Sequence, residues 1–181
     1  MELKELILER QSARSYLDQP VEEEKLQQCI ETARLSPSAC NAQPWKFIIV
    51  DDAKLKNEVA ENAASFGMNK FAVQAPIIVA VTLEKPNLSS KIGSVLKNKE
   101  YTLLDIGFAV SQFCLQATEL GLSTCIIGWF NEKQIRKILN IPTSKRIPLL
   151  ITLGYSDSEI RSKIRKNKEE IYSRNSYLGI E

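Results

Sequence analysis

Two arginines flank a serine near the start of the chain, in the segment Arg10-Gln11-Ser12-Ala13-Arg14. A guanidinium group presents several N–H donors in a fixed plane, which suits a phosphate better than the single ammonium of lysine does. The spacing also fits the solvated end of a helix, where arginine interacts favourably with the helix dipole. By itself, this segment predicts either a phosphate site or an ordinary helix terminus.

A second candidate is the loop at residues 36–45, which reads Ser-Pro-Ser-Ala-Cys-Asn-Ala-Gln-Pro-Trp. Side-chain amides can hydrogen-bond a heteroaromatic ligand, and binding groups concentrate on loops that a rigid scaffold holds in place. An ordinary turn with Trp45 packed in the core would have the same composition, so the loop alone does not separate the two interpretations.

The third and fourth candidates are a glycine after a strand and a basic run. Gly128 follows an apolar run and precedes Trp129 and Phe130, so a ligand could approach the backbone N–H groups there closely. Both aromatic residues are equally typical of a core. The basic run at residues 161–168 is typical of a solvated surface, but it would complete a phosphate site if the fold brought it to Arg10 and Arg14.

Composition excludes several classes of chemistry. Among 181 residues there is no histidine, which rules out a Ser/His/Asp triad, a Cys/His pair and every histidine-containing metal site. The 24 basic and 22 acidic residues give a net charge of +2, too balanced for a general nucleic-acid surface. We expect no metal site and no nucleic-acid partner, and any enzymatic chemistry must come from groups other than histidine.

The same composition predicts a cytoplasmic protein. The four cysteines are widely spaced without a Cys-x-x-Cys pair, as in reduced cytosolic chains. Charged residues interrupt the N-terminal segment, and no apolar stretch is long enough to cross a bilayer. We therefore expect neither a signal peptide nor a membrane partner.

Hydrophobic periodicity predicts alternating helices and strands. Helices are expected at residues 3–10, from Pro20 to Ala33, from Leu55 to near Gly67, at 101–120 and at 132–139. Strands are expected at residues 47–50, 76–81, 124–127 and 148–154. Residues 85–99 are predicted to be a mobile insertion and residues 155–181 a charged tail. Without a repeat or linker, we expect a single α+β domain of residues 1–181.

The predicted helix at residues 101–120 is apolar on nearly all faces. Such a helix is buried, either in a core or in a subunit interface. A chain of 181 residues covers so much apolar surface more easily as a dimer. The helix therefore favours an oligomer.

Taken in order, these motifs resemble the FMN-dependent nitroreductase family over essentially the whole chain. The matching motifs are Arg10-x-Ser-x-Arg14, Ser36-Pro-Ser-x-x-Asn41-x-Gln-Pro-Trp45-x-Phe, Asp105-Ile-Gly107, Gln116-Ala117 leading to Leu120-Gly-Leu122, Ile127-Gly128-x-Phe130, Leu153-Gly-Tyr155 and Arg165-Lys166-x-x-Glu-Glu170. Each motif alone is weak, whereas their order and spacing together are specific.

The resemblance implies which residues bind FMN. Those expected at the phosphate, the ribityl chain or the ring edge are Arg10, Gln11, Ser12, Arg14, Lys163 and Arg165. Those expected to reach the flavin bound mainly by the other subunit are Pro37, Ser38, Asn41 and Gln43. Those at a strand end, with a backbone N–H of Gly128 near flavin N5, are Ile127, Gly128 and Trp129. Asn69 and Lys70 roughly match a further ring-contacting segment, and Trp129 departs from the family pattern.

The resemblance also implies a fold and an activity. The fold is a three-layer α/β/α sandwich with a mixed, mainly antiparallel sheet, in an intertwined homodimer with FMN at its interface. Residues from about 156 to 181 extend over the partner subunit. The activity is ping-pong hydride transfer from NADH or NADPH to FMN N5, and then to a nitroaromatic, quinone or similar acceptor, without a catalytic side chain. Two alternatives remain: a non-catalytic flavin or nucleotide sensor, and a related flavoenzyme with a specialised redox reaction.

Overall fold

The structure is a computed structural model that describes residues 2–64, 67–85 and 100–177. The helices are α1 (Leu3–Glu9), α2 (Glu23–Arg34), α3 (Ala53–Ala63), α4 (Tyr101–Glu119), α5 (Glu132–Ile138) and α6 (Lys168–Ile171). The strands are β1 (Trp45–Val50), β2 (Ile77–Leu83), β3 (Ser123–Ile127) and β4 (Arg146–Gly154). Short 3-10 turns occupy Ala39–Asn41 and Lys70–Gln74. Nearly all of the predicted mobile insertion, residues 86–99, lies outside the described residues.

The four strands form one sheet in the order β1-β2-β4-β3, and all three strand pairs are antiparallel. The predicted parallel component appears, within the described ranges, as a bridge between Ser12 and Thr124 of β3. This bridge is important for the site because it fixes the segment after α1 against one edge of the sheet.

Helices cover both faces of the sheet. Alternate residues of a strand point to opposite faces, so Val79 and Ile78 of β2 belong to different cores. The first core lies between the sheet and helices α2 and α4, with Phe113 of α4 fully buried. The second core lies between the sheet and helices α3 and α5. Burial on both faces explains the uninterrupted apolar sequence of β2 and confirms the three-layer α+β prediction.

One predicted boundary was wrong, and one helix was not predicted. Helix α3 ends at Ala63 instead of near Gly67, because Ala64 has left the regular helix while its N–H still bonds to Ala60 O. The tail contains α6, which the charged sequence did not indicate, although Asn167 and Glu170 form a capping box at its start. Within the described ranges, no helix has the length and apolar character that a membrane crossing requires.

Candidate functional site

The Arg10–Arg14 segment forms a corner that is anchored on β3. Helix α1 ends at Glu9, and the backbone N–H of Ala13 then donates to Thr124 O at 3.0 Å. Ala13 and Tyr16 are buried, and the Tyr16 hydroxyl is joined to Thr152 Oγ1 by a hydrogen bond of 2.7 Å. The buried residues fix the corner, while Arg10 and Arg14 line a cavity on its outer side.

The first part of the C-terminal tail runs antiparallel along this corner. Hydrogen bonds join Leu17 to Tyr155 at 2.9 Å, Ser15 to Ser158 at 2.8 Å, Gln11 to Glu159 at 3.0 Å, Ser12 to Arg161 at 3.1 Å and Arg10 to Lys163 at 2.6 Å. The two basic segments are about 150 residues apart in the sequence, yet the fold brings them together as the charge pattern allowed.

A cavity of about 390 Å³ lies between the corner and the tail. Five cationic side chains line it, and the lining residues include no carboxylate: Arg10, Arg14, Arg161, Lys163 and Arg165. Desolvation lowers the pKa of Lys163, and the nearby charges of Arg10, Arg165 and Arg161 lower it further. Guanidinium and ammonium groups without a local counter-charge are the donor set that a phosphate group requires. The residues present therefore fit the phosphate of FMN.

Arg161 belongs to this cavity although the sequence-based residue set included only Lys163 and Arg165. Its guanidinium donates to Ser12 O, and its backbone N–H donates to Gln11 Oε1 at 3.2 Å. The basic run was the available signal, but nothing local in it distinguishes the residues that contact the corner from the rest of the run.

Gln11 lines the cavity and also joins the tail to the corner. Its Nε2 donates to Glu159 O, and its Oε1 accepts from Arg161. Both ends of the amide thus hold the tail against the corner, which makes Gln11 a positioning residue for the cavity that it lines.

The end of β3 presents backbone to solvent. The side chain of Ile127 is buried in the second core, so any ligand contact of this residue must come from its backbone. A Cβ atom placed on Gly128 would have nothing within 4 Å, so the glycine leaves open space beside the chain. Trp129 is 59% exposed, and Asn69 Nδ2 donates to its carbonyl oxygen at 2.9 Å.

Strand β3 connects this open end to the cationic cavity. Thr124 contacts the corner, and Gly128 lies four residues further along. At the usual rise of a strand, about 13 Å separates the two positions. An elongated ligand with a phosphate at one end can therefore extend along β3 towards Gly128.

The loop containing Pro37, Ser38, Asn41 and Gln43 is rigidly built. Both carboxylate oxygens of Asp105 accept from the Ala39 N–H at 3.2 Å, and Ser38 Oγ accepts from the Gln43 N–H at 3.0 Å. Cys40, Asn41 and Gln43 adopt positive φ angles of 53°, 52° and 44°. Such backbone is strained for residues other than glycine, so the loop is held in this shape by its hydrogen bonds.

This loop precedes β1, which is the edge strand on the opposite side of the sheet from β3. The structure thus brings two of the predicted groups together, the corner with the basic tail, and connects the third through β3. It places the remaining group, the loop at residues 36–45, at the far edge of the sheet.

Comparisons with known proteins agree with this geometry. The sequence model described as "Nitroreductase family" matches residues 7–74 and 62–155. An oxygen-insensitive NADPH nitroreductase of Helicobacter acinonychis is 30% identical over 196 residues, covering 91% of this chain and 92% of that protein. An FMN reductase [NAD(P)H] of Bacillus subtilis is 28% identical over 190 residues, covering 96% of this chain and 73% of that protein.

Solved structures give the same result. A nitroreductase family protein from Clostridium novyi superposes with a TM-score of 0.76 at 30% identity, covering 86% of each chain. An FMN-dependent nitroreductase from Clostridium difficile superposes with a TM-score of 0.73 at 29% identity, covering 91% of this chain and 92% of its own.

Proposed function

Because this chain belongs to the nitroreductase family, we propose that it is an FMN-dependent NAD(P)H oxidoreductase. Its electron donor is NADH or NADPH, and its acceptor is a nitroaromatic, a quinone or a similar small molecule. The observation that carries the proposal is the cavity with five cationic side chains and no carboxylate among its lining residues.

The chain's own residues bind and orient the cofactor. Arg10, Arg14, Arg161, Lys163 and Arg165 hold its phosphate, with Ser12 and Gln11 beside them. The open backbone at Ile127, Gly128 and Trp129 receives the ring system. When bound, FMN accepts a hydride at N5 from the nicotinamide and passes reducing equivalents to the acceptor in a ping-pong cycle. No side chain of this chain needs to act as nucleophile or general base.

We propose further that the functional unit is a homodimer with FMN at its interface. Apolar side chains on α1 and α4 are 43–66% exposed in the single chain: Leu3, Ile7, Leu8, Leu103, Leu104 and Phe108. Helices α1 and α4 contact each other, and we propose that these side chains belong to one interface. An exposed apolar surface of this kind is typical of a subunit interface.

The dimer also explains the position of the rigid loop. Pro37, Ser38, Asn41 and Gln43 lie at the opposite edge of the sheet from β3. In a two-fold dimer a contact between residue i of one subunit and residue j of the partner is repeated as j with i, so each loop could reach the flavin that the other subunit holds.

The C-terminal segment from about residue 156 extends, in this proposal, over the partner subunit. After Lys163 its apolar side chains point into solvent, with Ile164 92% and Tyr177 94% exposed. A covering subunit would bury them. Residues 178–181 lie outside the described part of the chain. We propose that the whole chain, residues 1–181, acts as one domain. We propose from its cysteine usage that the protein is cytoplasmic.

Anaerobic reduction of the flavin-loaded protein tests the activity. Stoichiometric NADH or NADPH should bleach the flavin absorbance, and a nitroaromatic or quinone should restore it. Steady-state double-reciprocal plots at several acceptor concentrations should be parallel, as a ping-pong mechanism requires. A protein that binds FMN but is reduced by neither donor would instead be a flavin sensor.

A further inference from the structure

A second cavity, of about 510 Å³, lies on the face of the sheet that α3 and α5 cover. Its floor is formed by the edge strand β1 and the end of β2, and its opposite wall by the turn after α5. It shares no lining residue with the cationic cavity at the corner. Its volume is within the range of small-molecule sites, about 300–1,000 Å³.

One part of this cavity is apolar. Ile48 of β1 packs against the second core while remaining partly exposed, and it faces Leu139, Ile141 and Pro142 in the turn after α5. The turn is held in place by backbone hydrogen bonds, including Ile141 N–H to Arg136 O at 2.8 Å. A preformed apolar wall of this kind favours a ligand with an apolar body.

The other part of the cavity is a fixed group of charges. Glu84 accepts from the hydroxyl of Thr82 at 2.9 Å with one carboxylate oxygen and forms an ion pair with Lys145 through the other. Thr82 is 2% exposed, and the side chains of Lys145 and Glu84 are 23% and 30% exposed. Both oxygens of the single carboxylate are thus engaged within the protein.

Lys46 lies across the strand pair from Thr82 and lines the same cavity. Its ammonium makes no hydrogen bond to the part of the chain that the structure describes. The charge of Lys46 also helps to lower the pKa of Glu84, but with two ammonium groups and one carboxylate among its lining residues the cavity keeps a net positive charge beside its apolar wall. That charge favours an anionic group on the ligand.

We propose that this cavity binds a small organic acid with an apolar body and one carboxylate. The carboxylate binds the ammonium of Lys46, and the apolar body lies between Ile48 and the turn formed by Leu139, Ile141 and Pro142. The site is separate from the flavin site and takes no part in hydride transfer.

Calorimetric titration with 2-naphthoate tests the site, both with and without saturating FMN. We expect saturable binding with the same Kd in both conditions. The neutral isostere 2-naphthamide should bind about tenfold more weakly to the native protein, because it forms no charge-assisted hydrogen bond with Lys46. Binding of naphthoate that FMN abolishes would place the acid in the flavin site and overturn the proposal, as would equal affinity for the acid and the amide.

Two matched variants locate the charge. Lys46→Met should raise the Kd for 2-naphthoate about tenfold and leave the Kd for 2-naphthamide unchanged. Lys133→Met removes the same charge from the exposed face of α5 and should change neither value. Unchanged naphthoate binding by the folded Lys46→Met protein, confirmed as folded by circular dichroism, would overturn the assignment.

Discussion

At the scale of single residues, the corner site is a concentration of positive charge with no carboxylate among the residues that line its cavity. Lys163 donates to the carbonyl oxygen of Arg10, which directs its ammonium towards the arginines instead of away from them. Holding like charges together destabilises the flavin-free protein. A bound phosphate removes that repulsion, so cofactor binding and folding stability are coupled here.

Arg14 offers the simplest test of the phosphate contacts, because its side chain is exposed at the rim of the cavity. Replacing Arg14 with Ala should raise the Kd for FMN about tenfold or more, since a charged hydrogen bond contributes about 1.5–3 kcal/mol. Flavin fluorescence quenching measures this change. The matched control is Arg34→Ala, which removes an exposed arginine that pairs with Glu31 and should leave the Kd unchanged. Equal FMN affinity of Arg14→Ala and native protein would remove Arg14 from the site.

The lowered pKa of Lys163 predicts that the affinity for FMN depends on pH. Desolvation and neighbouring cations lower its pKa from the ordinary value of 10.5, and a phosphate binds the protonated form. FMN affinity should therefore fall as the pH rises towards 10.5, and Lys163→Gln should bind FMN more weakly but without this alkaline decline.

The folding stability of the flavin-free protein should change with pH in the opposite direction. Between its lowered pKa in the folded state and 10.5, this lysine binds more protons in the unfolded chain, so the free energy of unfolding rises with pH in that window. Fluorescence titrations with FMN across this pH range test the prediction. An equally large decline of FMN affinity in Lys163→Gln would assign the pH dependence to another group.

At the scale of elements, helix α4 joins the loop to the core. Asp105 is 4% exposed, and its carboxylate accepts the Ala39 N–H that the 3-10 turn leaves without a backbone partner. The turn's positive φ angles persist because this anchor and the Ser38 hydroxyl hold its two ends. The loop geometry thus depends on a helix that follows it by more than sixty residues.

Removing that anchor should loosen the loop. Asp105→Ala should lower the free energy of unfolding by about 1.5–3 kcal/mol, the contribution of a hydrogen bond to a charged group, and Asp105→Asn should lower it less because an acceptor remains. Denaturant titration measures both. Glu119→Ala, an exposed acid near the end of the same helix, should change stability by less than about 0.5 kcal/mol. A neutral effect of Asp105→Ala would contradict the anchoring role.

The reactivity of three buried cysteine thiols tests the packing of α2, α4 and β3. Cys29, Cys114 and Cys125 are between 0% and 5% exposed, and burial raises the pKa of all three, that of Cys29 to about 12. Thiolates are the reactive form, so these three thiols should not react with a thiol reagent at pH 8 while the protein is folded. Counting modified cysteines by mass spectrometry should give at most one label per native chain and four after denaturation. Rapid labelling of Cys114 in the native protein would contradict the packing.

The sequence predicted these elements well and the site only in part. Strand β2 and helix α4 carry strong local patterns, and burial on both faces of β2 follows from its uninterrupted apolar run. Arg161 was predicted only as part of the basic run, because its partner Gln11 is 150 residues away. Asp105 was not predicted to anchor the loop, because its partner Ala39 is 66 residues away. No local pattern encodes such pairings. Ile127 shows a different limit of the sequence. A motif match does not tell whether a residue faces a ligand with its side chain or with its backbone, and the side chain of Ile127 is buried in the second core.

At the scale of the whole molecule, the proposed dimer would complete the site through the exposed apolar side chains on α1 and α4. Phe108 of α4 is 54% exposed, and replacing it with Glu would place a charge in the proposed interface. Phe108→Glu should shift the protein from dimer to monomer and weaken FMN binding together. Light scattering after gel filtration measures the mass, and flavin absorbance measures the loading.

The control for this variant uses the other side of the molecule. Val73 is 44% exposed in the 3-10 turn Lys70–Gln74, which packs against α3. Val73→Glu adds the same charge and should leave both the dimer and its flavin intact. A native protein that is a monomer in solution and still holds FMN would show that the site needs no partner.

The central claim is that the cationic corner and the end of β3 form an FMN site, and titration of the purified protein with FMN tests it most directly. We predict saturable binding with one FMN per chain, a perturbed flavin absorbance spectrum, and a Kd that inorganic phosphate raises by competition. A protein that is colourless as purified and takes up no added FMN would contradict the account.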